Sequence, residues 1–126
     1  MTAEADVLAP CALGAVLDAT TIPRLRCAAV CGSANNQLAE PEDARRLADR
    51  GILYAPDYVV SSGGIINIAE ELVGYDRARA TARLAAIGAT TSEVLADADR
   101  LGITTVEAAD RLAERRLQAG GGTSAF

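Results

Sequence analysis

The chain has 126 residues, half of them apolar, which is enough for one packed domain and leaves little room for a second core. Net charge is −5, and all twelve cations are arginines scattered along the chain, so the basic stripe of a nucleic-acid binder is missing. There is no lysine and no histidine, which excludes a Schiff-base lysine and any Ser-His or Cys-His nucleophile pair.

Residues 5–9 form a short apolar run closed by Pro10, the pattern of a strand entering a loop, and Gly14 marks a tight turn soon after. Thr20-Thr21-Ile22-Pro23 reads as a helix start, a hydroxyl cap followed by an early proline. Residues 27–31 (Cys-Ala-Ala-Val-Cys) predict a second, buried strand that ends in the polar loop Gly32-Ser33-Ala34-Asn35-Asn36. On one strand Cys27 and Cys31 would stand ~13 Å apart, beyond the ~7 Å reach of a disulfide. With too few ligands for zinc, both are expected to be buried as small hydrophobes.

Pro41 occupies the first-turn position of a helix with Glu42 and Asp43 behind it, running to about Arg50 and stopping at Gly51. Residues 52–55 predict a third strand closed by Pro56, and residues 57–60 an extended or looped stretch. Gly63-Gly64 opens the next helix, whose Ile65, Ile68, Ala69 and Leu72 fall on one apolar face. A long helix follows over roughly 77–101, with Leu84, Ile87, Val94, Leu95, Ala98 and Leu101 as its apolar stripe. Thr104-Thr105-Val106-Glu107 is a capping box for a last helix to about Gln118.

Strand, loop, helix, strand in the first half is the grammar of a parallel α/β sheet. The fold class is therefore α/β: a partial Rossmann-like parallel sheet of about three strands followed by C-terminal helices. Residues 119–126 are expected to be a disordered tail. No apolar run approaches the ~18 residues of a membrane helix, and no basic stretch followed by an apolar one opens the chain. A cytoplasmic protein with no membrane and no nucleic-acid partner is expected, and no metal site.

In an open parallel sheet, ligands sit beyond the carboxyl ends of the strands. Here those ends are Pro10-Cys11-Ala12-Leu13-Gly14, Gly32 to Gln37, and residues 56–64. Side by side they would form one rim, uncharged except for Asp57, offering Ser33, Asn35, Asn36, Gln37, Ser61 and Ser62. Amides and hydroxyls suit a neutral ribose or carboxamide, because an amide both donates and accepts. Asn-Asn is equally a turn that tolerates left-handed backbone, and Gly63-Gly64 serves either close packing or ligand approach. The Gly-x-Gly-x-x-Gly turn that cradles a pyrophosphate does not occur.

Three segments together are more specific than any one. Asp6-Val7-Leu8-Ala9-Pro10-Cys11-Ala12-Leu13-Gly14, Gly32-Ser33-Ala34-Asn35-Asn36-Gln37-Leu38 and Gly51-Ile52-Leu53-Tyr54-Ala55-Pro56-Asp57-Tyr58-Val59-Val60 with Gly63-Gly64 resemble, in order and spacing, motifs of the leucine, valine and phenylalanine dehydrogenases, relatives of glutamate dehydrogenase. The resemblance runs from about Asp6 to Gln118.

It implies that residues 1–75 are the C-terminal half of a Rossmann-like NAD-binding domain and residues 76–118 the helices that pack on it. The implied reaction is reversible oxidative deamination of a branched aliphatic L-amino acid to a 2-oxo acid and ammonia, with NAD as cofactor and a homo-oligomer as the complete enzyme. Ala12 and Leu13 would line the nicotinamide side of the cleft. Ser33, Ala34 and Asn35 would contact the nicotinamide ribose and carboxamide, and Asn35 the substrate as well. Ile65 and Ile68 would wall the substrate side chain, although plain core packing would also account for both. Glutamate-specific relatives carry a Ser where this chain has Ile68, and an unpaired carboxylate buried against Ile is costly.

The sequence departs from the family pattern at Ser61 and Ser62, where Asn and Ala are usual. The family's catalytic Lys pair, catalytic Asp and Gly-rich turn lie upstream of the matching stretch, so no catalytic residue is assigned and the isolated chain is expected to be inactive. A non-catalytic nucleotide-binding module and a remnant that docks on a complete paralogue are the alternatives.

Overall fold

The computed structural model describes residues 3–120. Strands β1 (Val7–Leu8), β2 (Ala29–Val30) and β3 (Leu53–Tyr54) lie side by side in that order, all parallel. The register aligns Val7, Ala29 and Leu53 in one row and Leu8, Val30 and Tyr54 in the next. Side chains alternate across a sheet, so one row faces inward and the other outward. Val30 and Tyr54 are buried, whereas Val7 and Leu53 are about half exposed. The core therefore lies on one face, where Leu17, Ile22, Leu25 and Leu47 pack on Val30, Ile52 and Tyr54.

The α/β sheet of three strands followed by helices is as the alternation of runs predicts. Local readings were less uniform. The expected helix at Thr20–Pro23 is only a 3-10 turn, Ile22–Arg24, and Thr21 does not cap it. Asp18 organises the segment instead, accepting from the backbone of Thr20 (2.8 Å) and Thr21 (2.7 Å). Hydrogen bonds from the Thr20 hydroxyl and these amides pull its carboxyl down to about 2.

Helix α1 (Asp43–Asp49) begins two residues later than Pro41 predicts. The buried Asp43 carboxylate accepts from the Glu40 N–H at 2.9 Å and pairs with Arg46, holding Pro41 in the preceding turn. Residues 57–60, expected to be extended or looped, form helix α2 (Asp57–Val60). The β-branched pair Val59-Val60 favours extended backbone, but tertiary contacts prevail. The Val59 and Val60 N–H groups bond Pro56 O, Ser61 Oγ bonds Asp57 O, and Val59 packs into the helical core.

Helix α3 (Gly63–Leu72), helix α4 (Arg77–Leu101) and helix α5 (Thr105–Gly120) complete the fold. Asp76 caps α4 by accepting from Arg79 N at 2.8 Å. Ala80, Val94 and Ala98 are the buried positions of α4, while Leu84 and Leu101 are 40% exposed, so the predicted stripe is narrower than drawn. The capping box of α5 forms as expected: Glu107 Oε2 accepts from Thr104 N at 2.7 Å, and Thr104 Oγ1 accepts from Glu107 N at 3.2 Å. Helix α5 includes residues 119 and 120, assigned above to the tail; the remainder of that tail, residues 121–126, lies outside the described residues. Val94 and Ala98 pack with Ala108, Ala109 and Leu112, and Val106 carries α5 onto the sheet core. Cys27 is only half-buried and Cys31 is exposed, contrary to expectation, because the sheet face they approach is open.

Candidate functional site

The loops after β1 and β2 are pressed together, and two glycines make this possible. A Cβ on Gly32 would stand 2.1 Å from Pro10 O, and one on Gly14 would stand 2.8 Å from Asn35 O. No side chain fits at either place. The backbone bonds across this contact are Ala34 N to Pro10 O (2.9 Å), Ala15 N to Asn36 O (2.6 Å) and Leu17 N to Gln37 O (3.0 Å). Asn36 takes left-handed backbone, φ 52°, which Asn tolerates through its short polar side chain.

This packing brings four of the five predicted cofactor residues to one rim. Ala12, Leu13, Ser33 and Asn35 are exposed there, Leu13 at 71%, whereas Ala34 is buried, its N–H donating to Pro10 O and its carbonyl accepting from Gln37 Nε2. Ser33 also bonds the Cys11 thiol across the two loops, lowering its pKa.

Gln37 and Asp57 were expected to offer polar groups to this rim, and they do not. Gln37 is fully buried; its Nε2 donates to Gly32 O and Ala34 O, both at 2.9 Å, so the side chain staples the loop from beneath. Its N–H donates to Asp57 Oδ2 at 2.7 Å, tying the loop to α2. Ser61 and Ser62 are likewise used internally, on Asp57 O and Val59 O. What remains at the rim is Ser33, Asn35 and Asn36, with no charged side chain in either loop. Burial raises the hydroxyl pKa of both Tyr54 and Tyr58, and Tyr58 is anchored to Asp110 at 2.9 Å.

Ile65 and Ile68 are placed by α3, which follows α2 directly. Neither is a core residue: Ile65 is 70% exposed, Ile68 59% and Leu72 83%. The opposite side of α3 turns inward with Ile66, half-buried, and Glu70, fully enclosed and paired with Arg79 and with Arg83 Nη1 (3.0 Å). A helix of a soluble domain normally turns its apolar stripe inward; this one turns it out. Gly63 seats the helix against Leu84, whereas nothing stands near Gly64 on its open side. The sequence reading does not single out Glu70, Arg79 and Arg83: two arginines four apart share a helix face, but which acid they meet is decided by the packing of α3 on α4.

Two hollows border the C-terminal helices. One of about 430 Å³ runs between α2, α4 and α5, and one of about 380 Å³ lies where β3 meets the α4–α5 turn. Neither is lined by a predicted site residue. Among the described residues, no three His, Cys, Asp or Glu side chains converge as a metal site, and no helix is long and apolar enough to cross a membrane.

A sequence profile described as Glutamate/Leucine/Phenylalanine/Valine dehydrogenase matches residues 1–120. A valine dehydrogenase of Streptomyces albus is 54% identical over 112 residues, 89% of this chain and 31% of the relative. A leucine dehydrogenase of Thermoactinomyces intermedius is 50% identical over 115 residues, 91% of this chain and 31% of the relative. The crystal structure of L-tryptophan dehydrogenase from Nostoc punctiforme superposes with a TM-score of 0.92 at 41% identity, covering 97% of this chain and 37% of that one. The chain thus spans about a third of the length of the curated relatives it matches.

Proposed function

Because the chain belongs to the Glutamate/Leucine/Phenylalanine/Valine dehydrogenase family, we propose that it forms the nicotinamide-side half of the cofactor domain of an NAD-dependent amino-acid dehydrogenase. Residues 1–75 are that half-domain, and residues 76–118 are helices that pack on it. The complete protein acts in the cytoplasm as a homo-oligomer. It converts a branched-chain L-amino acid, NAD and water to a 2-oxo acid, ammonium, NADH and a proton, reversibly. NAD, when bound, supplies the acceptor for the hydride that leaves the substrate Cα.

The observation that carries this reading is the contact between the two glycine-bearing loops, which holds Ser33 and Asn35 exposed on a neutral rim. A neutral rim of hydroxyl and amide groups fits a ribose and a carboxamide. Ala12 and Leu13 supply its apolar side, and Ala34, buried beneath, holds the loop in place through its backbone. The diphosphate half of the cofactor finds no glycine-rich turn here, so that contact falls to other parts of the complete protein. Asn35 also reaches the substrate.

The outward stripe of α3 supplies the substrate wall. Ile65 and Ile68 have no hydrogen-bonding group for a distal carboxylate, and desolvating an unpaired charge against them is costly. Two β-branched side chains narrow the space, which favours valine and isoleucine over phenylalanine. Without lysine or histidine the chain lacks the usual nitrogen bases, so it does not turn over substrate by itself.

The test replaces the matching segment of a phenylalanine dehydrogenase of the family with this one. The expected chimera has a higher kcat/KM for valine than for phenylalanine, and Asn35→Ala raises its KM for NAD. The 126-residue chain alone yields no NADH from valine above a mock preparation. Retained preference for phenylalanine would sink the substrate assignment. An unchanged KM for NAD in Asn35→Ala would sink the cofactor assignment.

A further inference from the structure

Helix α3 is built inside out. Ile65, Ile68 and Leu72 are exposed, Ile66 and Ala69 are half-buried, and Glu70 is fully buried. At ~100° per residue, Glu70 stands roughly 140° around the helix from Ile65. Ten residues make a short helix, too short to hold its own conformation in water without tertiary contacts. The hydrophobic effect alone would turn the apolar stripe toward the core. Ile66 is the one large apolar side chain turned inward, against three turned out, so a further interaction is needed to fix the rotation, and charge provides it.

The Glu70 carboxylate is met by two arginines of α4. Arg79 Nε bonds one oxygen and Arg83 Nη1 lies 3.0 Å from the other. The arginines are four residues apart and so share a face of α4, and both are about half exposed. Arg79 also donates from Nη2 to Gly74 O at 2.7 Å, closing the turn between the helices. A buried carboxylate stripped of its partners is strongly unfavourable, so turning α3 to bury the stripe is opposed. A buried ion pair of this kind specifies orientation more than it adds stability.

We infer that Glu70, held by Arg79 and Arg83, is a positioning residue that sets the rotation of α3 and so presents Ile65 and Ile68 to the substrate. This rests on the substrate-wall reading above. Neutralising Glu70 removes the bias, the wall loosens, and discrimination by side-chain size falls. Packing differences of one or two methylenes discriminate by ~10- to 200-fold, and loss of a fixed wall is read on that scale.

The experiment has two arms. In the full chain, Glu70→Gln is expected to speed amide hydrogen exchange within α3 while α5 exchanges as before. In the phenylalanine-dehydrogenase chimera, Glu70→Gln is expected to lower the valine-to-phenylalanine ratio of kcat/KM by about tenfold. Arg83→Gln, which keeps the Glu70–Arg79 pair and the fold, moves the ratio the same way by less. Ile65→Ala and Ile68→Ala serve as references. If they move the ratio and both Glu70→Gln and Arg83→Gln leave it within twofold, this inference fails alone, whatever happens to the melting temperature. If none of the four moves it, the substrate-wall reading fails and this inference falls with it. Should Glu70→Gln not fold, Arg83→Gln decides: an unchanged ratio overturns the inference, and a lowered one supports it.

Discussion

Gly32 is the residue on which the candidate site depends most directly. Its missing Cβ lets the second loop lie on Pro10, and no flexible side chain could yield, because the obstructing atoms belong to the backbone and ring of Pro10. Gly32→Ala is therefore expected to cost about 3 kcal/mol, at the upper end for overpacking. Gly64→Ala, with nothing near it, should stay within ~0.5 kcal/mol of the parent. Urea unfolding of both variants measures this; equal midpoints would show that the loops separate easily. The glycine was legible in the sequence, but its reason was not, since Pro10 lies far from it along the chain. Gln37 shows the converse. Its type suits a polar rim, yet burial beneath Gly32 and Ala34 turns the amide inward. Residue type cannot say which way a side chain points once two loops meet.

At the scale of elements, local rules worked where the determining contacts are local. The capping box of α5 is such a case. Replacing Thr104 by Ala removes the acceptor for Glu107 N and should cost about 1 kcal/mol. In the other direction the Thr104 N–H, and after it the Thr104 hydroxyl, donate to Glu107 Oε2 and hold that carboxyl below the usual carboxylate range. A depressed folded pKa stabilises above the unfolded value near 4 and is lost as pH falls through the folded one. Thr104→Ala keeps the N–H bond and loses the hydroxyl's, so the gap in melting temperature from the parent should narrow in acid without closing; a pH-independent gap would refute the link. Local rules failed at α2, where Val59 and Val60 read as extended. Tertiary packing and the Asp57–Gln37 bond override that preference. They failed at Thr21 as well, where Asp18 out-competes a hydroxyl cap.

At the scale of the molecule, two surfaces are open. The Val7–Leu53 row of the sheet is half exposed, and α3 shows Ile65, Ile68 and Leu72 to solvent. Parallel sheets are normally covered on both faces, and apolar patches of this kind favour association. The 126-residue chain is expected to self-associate as concentration rises, and Ile68→Glu with Leu72→Glu to reduce this. Sedimentation velocity gives the answer; a chain that stays monomeric to high concentration would contradict it.

The run of apolar stretches, the breaks at Pro10, Pro56 and Gly51, and the capping signals were enough to place three parallel strands and the late helices, because each depends on neighbours a few residues away. The loop motifs were likewise enough to point to the family. The rotation of α3, the inward turn of Gln37 and the exposure of Cys31 were out of reach of such reasoning. Each depends on contacts between segments distant in the chain: α3 against two arginines of α4, Gln37 against Asp57, and the strand of Cys31 at a face left open among the described residues. Periodicity shows that a helix has an apolar side; only a buried charge on the other side decides which of the two faces outward.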